Sequence, residues 1–525
     1  MFGIVYSACV HGIEGQLIEV EVDISNGLPQ TAIVGLPDSA VRESMERVRA
    51  AIKNCGLTFP LARVTVNLAP ADVRKEGASF DLAIAAGIMA ASNQLSGMVT
   101  PLTLLIGELS LEGRLRPVPG VLSMVHGAKQ KGFEQVIVAA ENVQEARLID
   151  GIRVVALSRL SDLAISRTGL DEEAASAAPP ANTSLLAEEM PSEAGEDANA
   201  VDYADVSGQL HVKRALMIAA AGMHNLMMIG PPGTGKTMLA RRLPTILPDM
   251  SDAEALEVTK LYSVAGKLSD RGSFIRKRPF RSPHHTVSAG GLIGGGSIPK
   301  PGEASLAHGG VLFLDELPEF TRTVLEVLRQ PLEDRHVTIG RARAVYSFPS
   351  RFMLVASMNP CPCGYYGAET ASSACSCSPL KIGAYRSRIS GPLLDRIDLH
   401  IDVPRIDYGT IVSRTPPLSS AEMKAAVLRV HGLQQKRYKS AGIHFNGELT
   451  GRLLRKHCAV RPDAEQLLKQ TFDALGLSAR AHDRILKIAR TIADLDEHHD
   501  IGVPHIAEAI QYRQLDRQVH DTANR

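Results

Sequence analysis

The 525-residue sequence predicts an α/β protein of several domains that ends in a helical unit. Three observations lead to this class. Short β-rich runs alternate with helical ones over the first third of the chain; a further apolar strand near residue 225 runs into a glycine-rich turn and a helix; and beyond about residue 407 only helical periodicity is left.

In the first part, IVYSACV (4–10), LIEVEVDI (17–24) and ARVTVNLAP (62–70) read as strands, while SAVRESMERVRAAIKNCG (39–56) and DLAIAAGIMAASNQL (81–95) read as helices. Together they predict an α/β domain over residues 1–170. The stretch 171–200 holds eight acidic and no basic residues and is rich in Ala, Pro, Ser and Glu, so it lacks the apolar area needed to order itself and reads as a linker. Next, DYADVSGQLHVKRALMIAAAG gives a helix, NLMMIG a strand and KTMLARRLPTIL a helix, which opens a second α/β domain over 201–406. Over 407–525 the runs SAEMKAAVLRVHGLQQKRYKS, PDAEQLLKQTFDALG and SARAHDRILKIARTIADL predict a helical domain.

Composition sets limits on function. At 45% hydrophobic and 22% charged, with no apolar run of the length a bilayer requires and no basic, apolar leader at the N-terminus, the chain is expected in the cytoplasm with no membrane partner. Lys plus Arg balances Asp plus Glu at 57 each, so any nucleic-acid surface must be local. Outside the acidic stretch, 57 basic residues face 49 acidic ones.

The chemistry concentrates after residue 230. Gly230, Pro231, Pro232, Gly233, Thr234, Gly235, Lys236 and Thr237 match GxxxxGK[ST] between an apolar strand and a helix, the context in which backbone N–H groups cradle phosphates. Lys236 is expected to reach the β and γ phosphates of ATP, and Thr237 to ligate Mg²⁺. Gly310–Leu314 is an apolar strand ending in Asp315 and Glu316, the first suited to the metal's water shell and the second to orienting the attacking water. A third strand, 352–358, ends in Asn359, which either bridges γ-phosphate and water or starts a turn before Pro360. In this order the three elements resemble the Walker A, Walker B and sensor 1 elements of AAA+ P-loop ATPases.

Arg396 follows a short helical stretch, Ser390–Asp395, and precedes the strand IDLHIDV. It pairs locally with Asp395 or Asp398, or else reaches the phosphate of a neighbouring subunit. The segment is similar to the arginine finger of the AAA+ branch that includes magnesium chelatases and MCM helicases, with Arg386 and Arg388 as competitors. That branch's sensor 2 helix resembles Ser478–Arg484, where Arg480 is favoured and Arg484 is second.

Over essentially its whole length the chain resembles the ComM/YifB family of magnesium-chelatase-like AAA+ proteins, on FRSPHHT (280–286), GGLIGGG (290–296) and NPCPCG (359–364). The 79 positions from Lys236 to Asp315 leave room for the helix-2 insertion of the chelatase and MCM type. The resemblance implies a homo-hexameric ATPase with ATP and Mg²⁺, and a DNA motor of the branch-migration kind used in natural transformation. An AAA+ core with a C-terminal helical lid follows from it. The N-terminal domain resembles the Lon protease domain: KEGASFD (75–81) matches the segment bearing the Lon serine, and GELSLEGRLRPVPG (107–120) the approach to its lysine. Leu122 stands at the lysine position, and a serine without a basic partner is a poor nucleophile. Ser79 is therefore read as structural and the domain as non-proteolytic.

Two motifs remain. Cys361, Cys363, Cys375 and Cys377 form two CxC pairs around a polar loop, the donor set of a tetrahedral Zn²⁺ site, with free thiols or a redox pair as the alternatives. Cys9, Cys55 and Cys458 lie in apolar contexts and are expected to be buried. The run 337–348 reads as a β-hairpin with Arg341 and Arg343 at its tip, and resembles the pre-sensor-1 hairpin that MCM-type motors use to grip DNA phosphates. A solvated turn with two surface arginines is the plainer reading of the same residues. A protein remodeller of the chelatase type is the alternative to a DNA motor, and a Lon-like protease is opposed by Leu122.

Overall fold

The computed structural model describes residues 1–164, 201–268, 272–296, 299–341, 344–369, 374–407, 409 and 417–513; the acidic stretch 171–200 and Arg343 lie outside them. Two sheets organise the chain. The first has seven strands in the order Gln30–Val34, Arg63–Ala69, Glu14–Ser25, Phe2–His11, Thr103–Leu105, Gln135–Ala139, Arg153–Leu157. Its centre is an antiparallel hairpin, 2–11 on 14–25, closed at Gly12, whose φ of 66° suits glycine. Helix Ser39–Asn54 starts on the Asp38 carboxylate, which accepts from Val41 N at 2.8 Å, and buries Met45, Val48, Ala51 and Ile52. Beneath it, helix Asp81–Ala91 is apolar on every face and buried from Asp81 to Met89. The two helices are tied by Arg47 and Asp81 at 2.8 Å.

The second sheet has five strands, all parallel, in the order Phe280–Arg281, Val311–Leu314, Met353–Met358, Leu226–Ile229, Leu399–Asp402. Every residue of the three middle strands is buried, as continuous apolar runs in a parallel sheet require. The helix that follows the glycine-rich turn runs only Lys236–Arg241 and then tightens to a 3₁₀ turn at Leu243–Thr245, because Pro244 has no N–H to continue it. The C-terminal helices Ser420–Tyr438, Gly451–His457, Pro462–Leu475, Ala479–Leu495 and Val503–Gln511 share one apolar cluster with helix Leu210–Gly222 and the sheet, so the helical unit has no separate core.

Between strands 311–314 and 353–358 the chain rises into an antiparallel hairpin, His336–Arg341 on Ala344–Pro349. The hairpin is wedged against the N-terminal sheet. Ile13, Leu261, Val337, Ile339, Tyr346 and Phe348 form one cluster across that junction, the His11 and Tyr346 rings lie 4.8 Å apart, and Tyr346 Oη donates to Glu76 at 3.2 Å. Lys260 Nζ and Glu14 at 3.0 Å, with Ser263 Oγ donating to Glu145 at 2.5 Å, extend the junction along helix Asp252–Val264. No helix of the described residues is long and apolar enough to cross a membrane.

Candidate active site

The C-terminal ends of three adjacent parallel strands converge, which is where open α/β sheets place ligands. Strand 226–229 delivers the loop 230–235, where Gly233 and Gly235 take φ of 79° and 84°; a Cβ at Gly230 would stand 2.2 Å from the Val403 carbonyl oxygen. Lys236 Nζ fills the hollow of this loop, donating to the carbonyls of Gly230 at 2.7 Å and Pro231 at 3.0 Å and to Asn359 Oδ1 at 3.2 Å. Thr234 Oγ1 steadies the turn on the Pro231 carbonyl. Burial pulls the Lys236 ammonium pKa down, against the opposing pull of Asp315 and Glu316, and an incoming phosphate would favour the charged form further.

Strand 311–314 delivers the carboxylates. Thr237 Oγ1 donates to Asp315 Oδ2 at 2.7 Å, so the two oxygens expected to hold Mg²⁺ already touch, a hard-donor pair that fits that ion. Ser357 was not singled out from sequence. Its hydroxyl donates to Asp315 Oδ1, and the Glu316 N–H donates to Ser357 Oγ at 3.2 Å, so this side chain fixes both acidic residues. The available signal was a polar residue inside an otherwise apolar strand. Glu316 sits in the left-handed region, φ 53° and ψ 52°, a strained setting for a residue with a Cβ and one that accumulates at functional sites. Strand 353–358 then presents Asn359 to Lys236, so Lys236, Thr237, Asp315, Glu316 and Asn359 occupy one site.

The favoured arginine lies elsewhere. Arg396 is 5% exposed, with Nη1 on the Pro392 carbonyl and Nη2 on Glu333 of its own chain, while its Nε has no hydrogen-bond partner among the described residues. Its carbonyl accepts from Asn225 Nδ2 at 2.9 Å, and Asn225 Oδ1 accepts from Leu354 N at 2.9 Å. Asn225 precedes the four-residue strand 226–229, so the Arg396 backbone is anchored at the opposite end of the sheet from Gly230, about 16 Å away. Arg388 donates to the Pro318 carbonyl and to Glu319, both at 3.2 Å, and Arg386 Nε to the Pro360 carbonyl at 3.2 Å. Arg480 is exposed in the first turn of helix 479–495, whereas Arg484 lies 3.5 Å from Asp398, at the start of the last sheet strand.

The family model of magnesium chelatase, subunit ChlI, matches residues 202–411, that of subunit ChlI of Mg-chelatase residues 20–142, and that of the magnesium chelatase subunit ChlI C-terminal residues 417–513. The chain is 43% identical over 523 residues to the competence protein ComM of Haemophilus influenzae, covering 99% of each, and 43% identical over 516 residues to the uncharacterized protein YifB of Escherichia coli, covering 98% and 97%. The chain belongs to the ComM/YifB family of magnesium-chelatase-like AAA+ proteins. Membership implies ATPase activity, with ATP and Mg²⁺ as the cofactors the family suggests.

The ComM/YifB chain also shares 27% identity over 179 residues with Lon protease 2 of Bacillus subtilis, covering 31% of this chain and 32% of that one. At the position of the Lon lysine, Leu122 is fully buried at the start of helix Val121–Gln130, and its N–H donates to Glu145 at 3.0 Å. Ser79 is 9% exposed, and nearby Lys75 is buried with its ammonium on the Pro70 carbonyl.

The ComM/YifB hairpin places Arg341 at its exposed end, where Nη2 donates to the Gly296 carbonyl at 2.6 Å. Gly296 adjoins the small sheet Gly294–Gly295 with Lys300–Pro301, within the stretch between Lys236 and Asp315. The four cysteines of the second motif gather, with one sulfur of each within 4.8 Å of the others and 3.3 to 3.7 Å among Cys361, Cys363 and Cys375. A Zn–S bond of about 2.3 Å in a tetrahedron sets sulfurs about 3.8 Å apart, so the donor set fits a Zn²⁺ ion and is too open for a disulfide. A backbone N–H from Tyr365, then the Cys361 thiol, pulls the Cys363 pKa down to about 6. Cys9 and Cys458 are buried as expected; Cys55 is not, because it caps the end of helix 39–54 at the surface side, with its thiol toward the Glu112 carbonyl. His284 bonds Thr286, His499 bonds Asp500, and His285 and His498 lie tilted against the rings of His284 and His505, all ordinary histidine settings.

Proposed function

We propose that this chain is an ATP-driven motor that assembles as a homo-hexamer in the cytoplasm and moves branched DNA, with competence as the pathway suggested by its relative ComM. The observation that carries the reading is the hairpin. Two short helices after the Glu316 strand lead into it and it runs on into the Asn359 strand, so it lies in the chain between the two elements that respond when a γ-phosphate is lost. Arg341, with Arg343 beside it in sequence, then supplies phosphate contacts that need charge and no base recognition.

In the ATPase cycle, Lys236 binds the β and γ phosphates, Glu316 orients the attacking water and Asn359 positions it against the γ-phosphate. Mg²⁺ on Thr237 and Asp315 would neutralise charge on the phosphates as it develops. Arg396 serves the neighbouring subunit. The anchoring of its backbone at the far end of the sheet supports this, since from there it does not reach its own phosphate loop. In the same reading Arg480 of the helical lid is the sensor 2 arginine, since Arg484 is held on Asp398 at the same far end of the sheet as Arg396, and Zn²⁺ closes the four-cysteine loop. The domains are 1–170, a non-proteolytic module joined by the 171–200 linker to the 201–406 ATPase, followed by the 407–525 lid.

A second reading has one observation of its own. Tyr346 and Ile339 of the hairpin are packed against the N-terminal domain, which suits a remodeller that hands force to a protein partner. ATPase rates with and without single-stranded, duplex and branched DNA separate the two. Stimulation, strongest with branched DNA, is expected of the motor; a rate indifferent to all three, together with no binding, refutes it. Mixing Arg396→Ala with Lys236→Ala subunits is expected to restore part of the activity, and no recovery in subunits shown to mix would remove the finger from the mechanism.

A further inference from the structure

The cysteine loop is built into the wall of the phosphate site. Asn359, which accepts from Lys236, is followed by Pro360 and then by Cys361, a fully buried thiol. The chain turns at once: Gly364 N donates to the Cys361 carbonyl at 3.0 Å, and Tyr366 N to Cys361 Sγ at 3.4 Å. That turn brings Gly364 against Pro232 of the phosphate loop. A Cβ on Gly364 would lie 2.6 Å from Pro232 Cδ, and φ there is 88°. The path from Lys236 through Asn359, Cys361 and Gly364 to Pro232 is thus a closed ring of contacts in which the phosphate loop forms one arc and the thiols the other.

Two further contacts press the thiol arc into place. Arg386 donates to the Pro360 carbonyl and lies 5.6 Å over the Tyr366 ring, and Arg405 lies 5.4 Å over the Tyr365 ring. Four thiolates on one Zn²⁺ make a doubly negative centre, and both guanidinium groups stack on tyrosines that closely follow the first pair of thiols in sequence.

We infer that metal at Cys361, Cys363, Cys375 and Cys377 and nucleotide at the Lys236 loop are thermodynamically linked, the loaded thiolate loop holding Pro232 and Asn359 in the phosphate-binding geometry. This rests on the zinc reading above. Without metal the four sulfurs are no longer tied to one another, Gly364 braces Pro232 less firmly, and the hollow that seats Lys236 and the phosphates loosens. Linkage is reciprocal: whatever factor metal adds to nucleotide affinity, nucleotide adds to metal affinity.

The full-length chain is purified without added metal, its metal content measured, and its affinity for ADP and a slowly hydrolysed ATP analogue compared before and after zinc removal by a chelator and after zinc is returned. Zinc affinity is measured by chelator competition with and without saturating analogue. One zinc per chain, a nucleotide affinity at least about fivefold weaker without it and restored on reloading, and the same factor on zinc affinity are expected. Because cysteine variants can fail to fold, Gly364→Ala serves as the second perturbation. It keeps all four thiolates yet pushes on Pro232, and is expected to retain zinc while weakening nucleotide binding. A protein without zinc overturns the metal site itself. A protein with one zinc per chain whose nucleotide affinity is the same loaded and stripped overturns the linkage and leaves a merely structural metal.

Discussion

Glu333→Gln tests the trans role of Arg396 without touching either catalytic centre. Glu333 lies on helix Arg329–Asp334, directly before the hairpin strand 336–341, and its carboxylate pairs with the Arg396 guanidinium. For that guanidinium to engage a neighbour's phosphate it must leave Glu333, so the pair is a competitor of the assembled state. The side chain of Arg396 is 6% exposed but that of Glu333 is 52% exposed, so solvent screens the pair and its worth is discounted to at most about 1 kcal/mol. A competitor of about 1 kcal/mol shifts the engagement constant by about fivefold. ATPase rate measured against subunit concentration is therefore expected to reach half-maximum at up to about fivefold lower concentration in Glu333→Gln than in the wild type. Arg396→Ala is expected to stay inactive at every concentration. If Glu333→Gln loses activity as fully as Arg396→Ala while its fold and nucleotide binding are intact, the carboxylate positions the finger for its work and the competition argument is refuted.

Lys236→Ala is expected to abolish nucleotide binding, whereas Glu316→Gln binds nucleotide and hydrolyses it slower by a factor on the order of a hundred or more; equal turnover in wild type and Glu316→Gln would exclude that residue as the water-orienting group. Replacing Arg341 and Arg343 together by Ala is expected to leave basal ATPase nearly unchanged, weaken DNA binding at all sequences alike and make its salt dependence shallower, as measured by titration at several salt concentrations. Undiminished branch movement by that variant would take the hairpin out of the DNA grip. His224 and His400 are buried and neutral, His224 with its pKa lowered to about 4 by burial and His400 held well below the usual range by burial and by Arg513 and Arg484. The unfolded chain, titrating near about 6.5, therefore takes up more protons than the folded one below that pH, so stability is full above about 6.5 and falls with acidity by about 1.4 kcal/mol per pH unit for each such group. Both His400 ring nitrogens lack partners among the described residues, so His400→Leu should make denaturation midpoints less dependent on pH between 5 and 6.5. An unaltered slope would show that His400 does not stay neutral.

Much of the site was legible because it is written in short, contiguous patterns. A glycine-rich turn between strand and helix, a strand ending in Asp315–Glu316 and one ending in Asn359 each carry their geometry locally, and a parallel sheet brings strand ends together without further information. The four cysteines were legible for the same reason. What could not be read were partners set by packing across the chain. Ser357 and Asn225 act through hydrogen bonds to other strands, and Glu333 lies 63 residues from the arginine it holds. The short helix after Lys236 was misjudged in length although Pro244 marks its end. Cys55 was expected inside, and only the path of the 107–120 segment, with Gly113 packed on its sulfur, shows why it sits at the rim.

The wedge between hairpin and N-terminal sheet changes what the acidic stretch means for the molecule. Composition alone suggests two bodies on a tether that could be parted by cutting it. Yet Ile13 shares a cluster with Val337, Ile339 and Phe348, Lys260 is buried under Glu14, and Ser263 is bonded to Glu145. A protease nick between residues 165 and 200 would therefore yield two fragments that still migrate as one particle, and either fragment expressed alone would carry an oily scar where the other belongs.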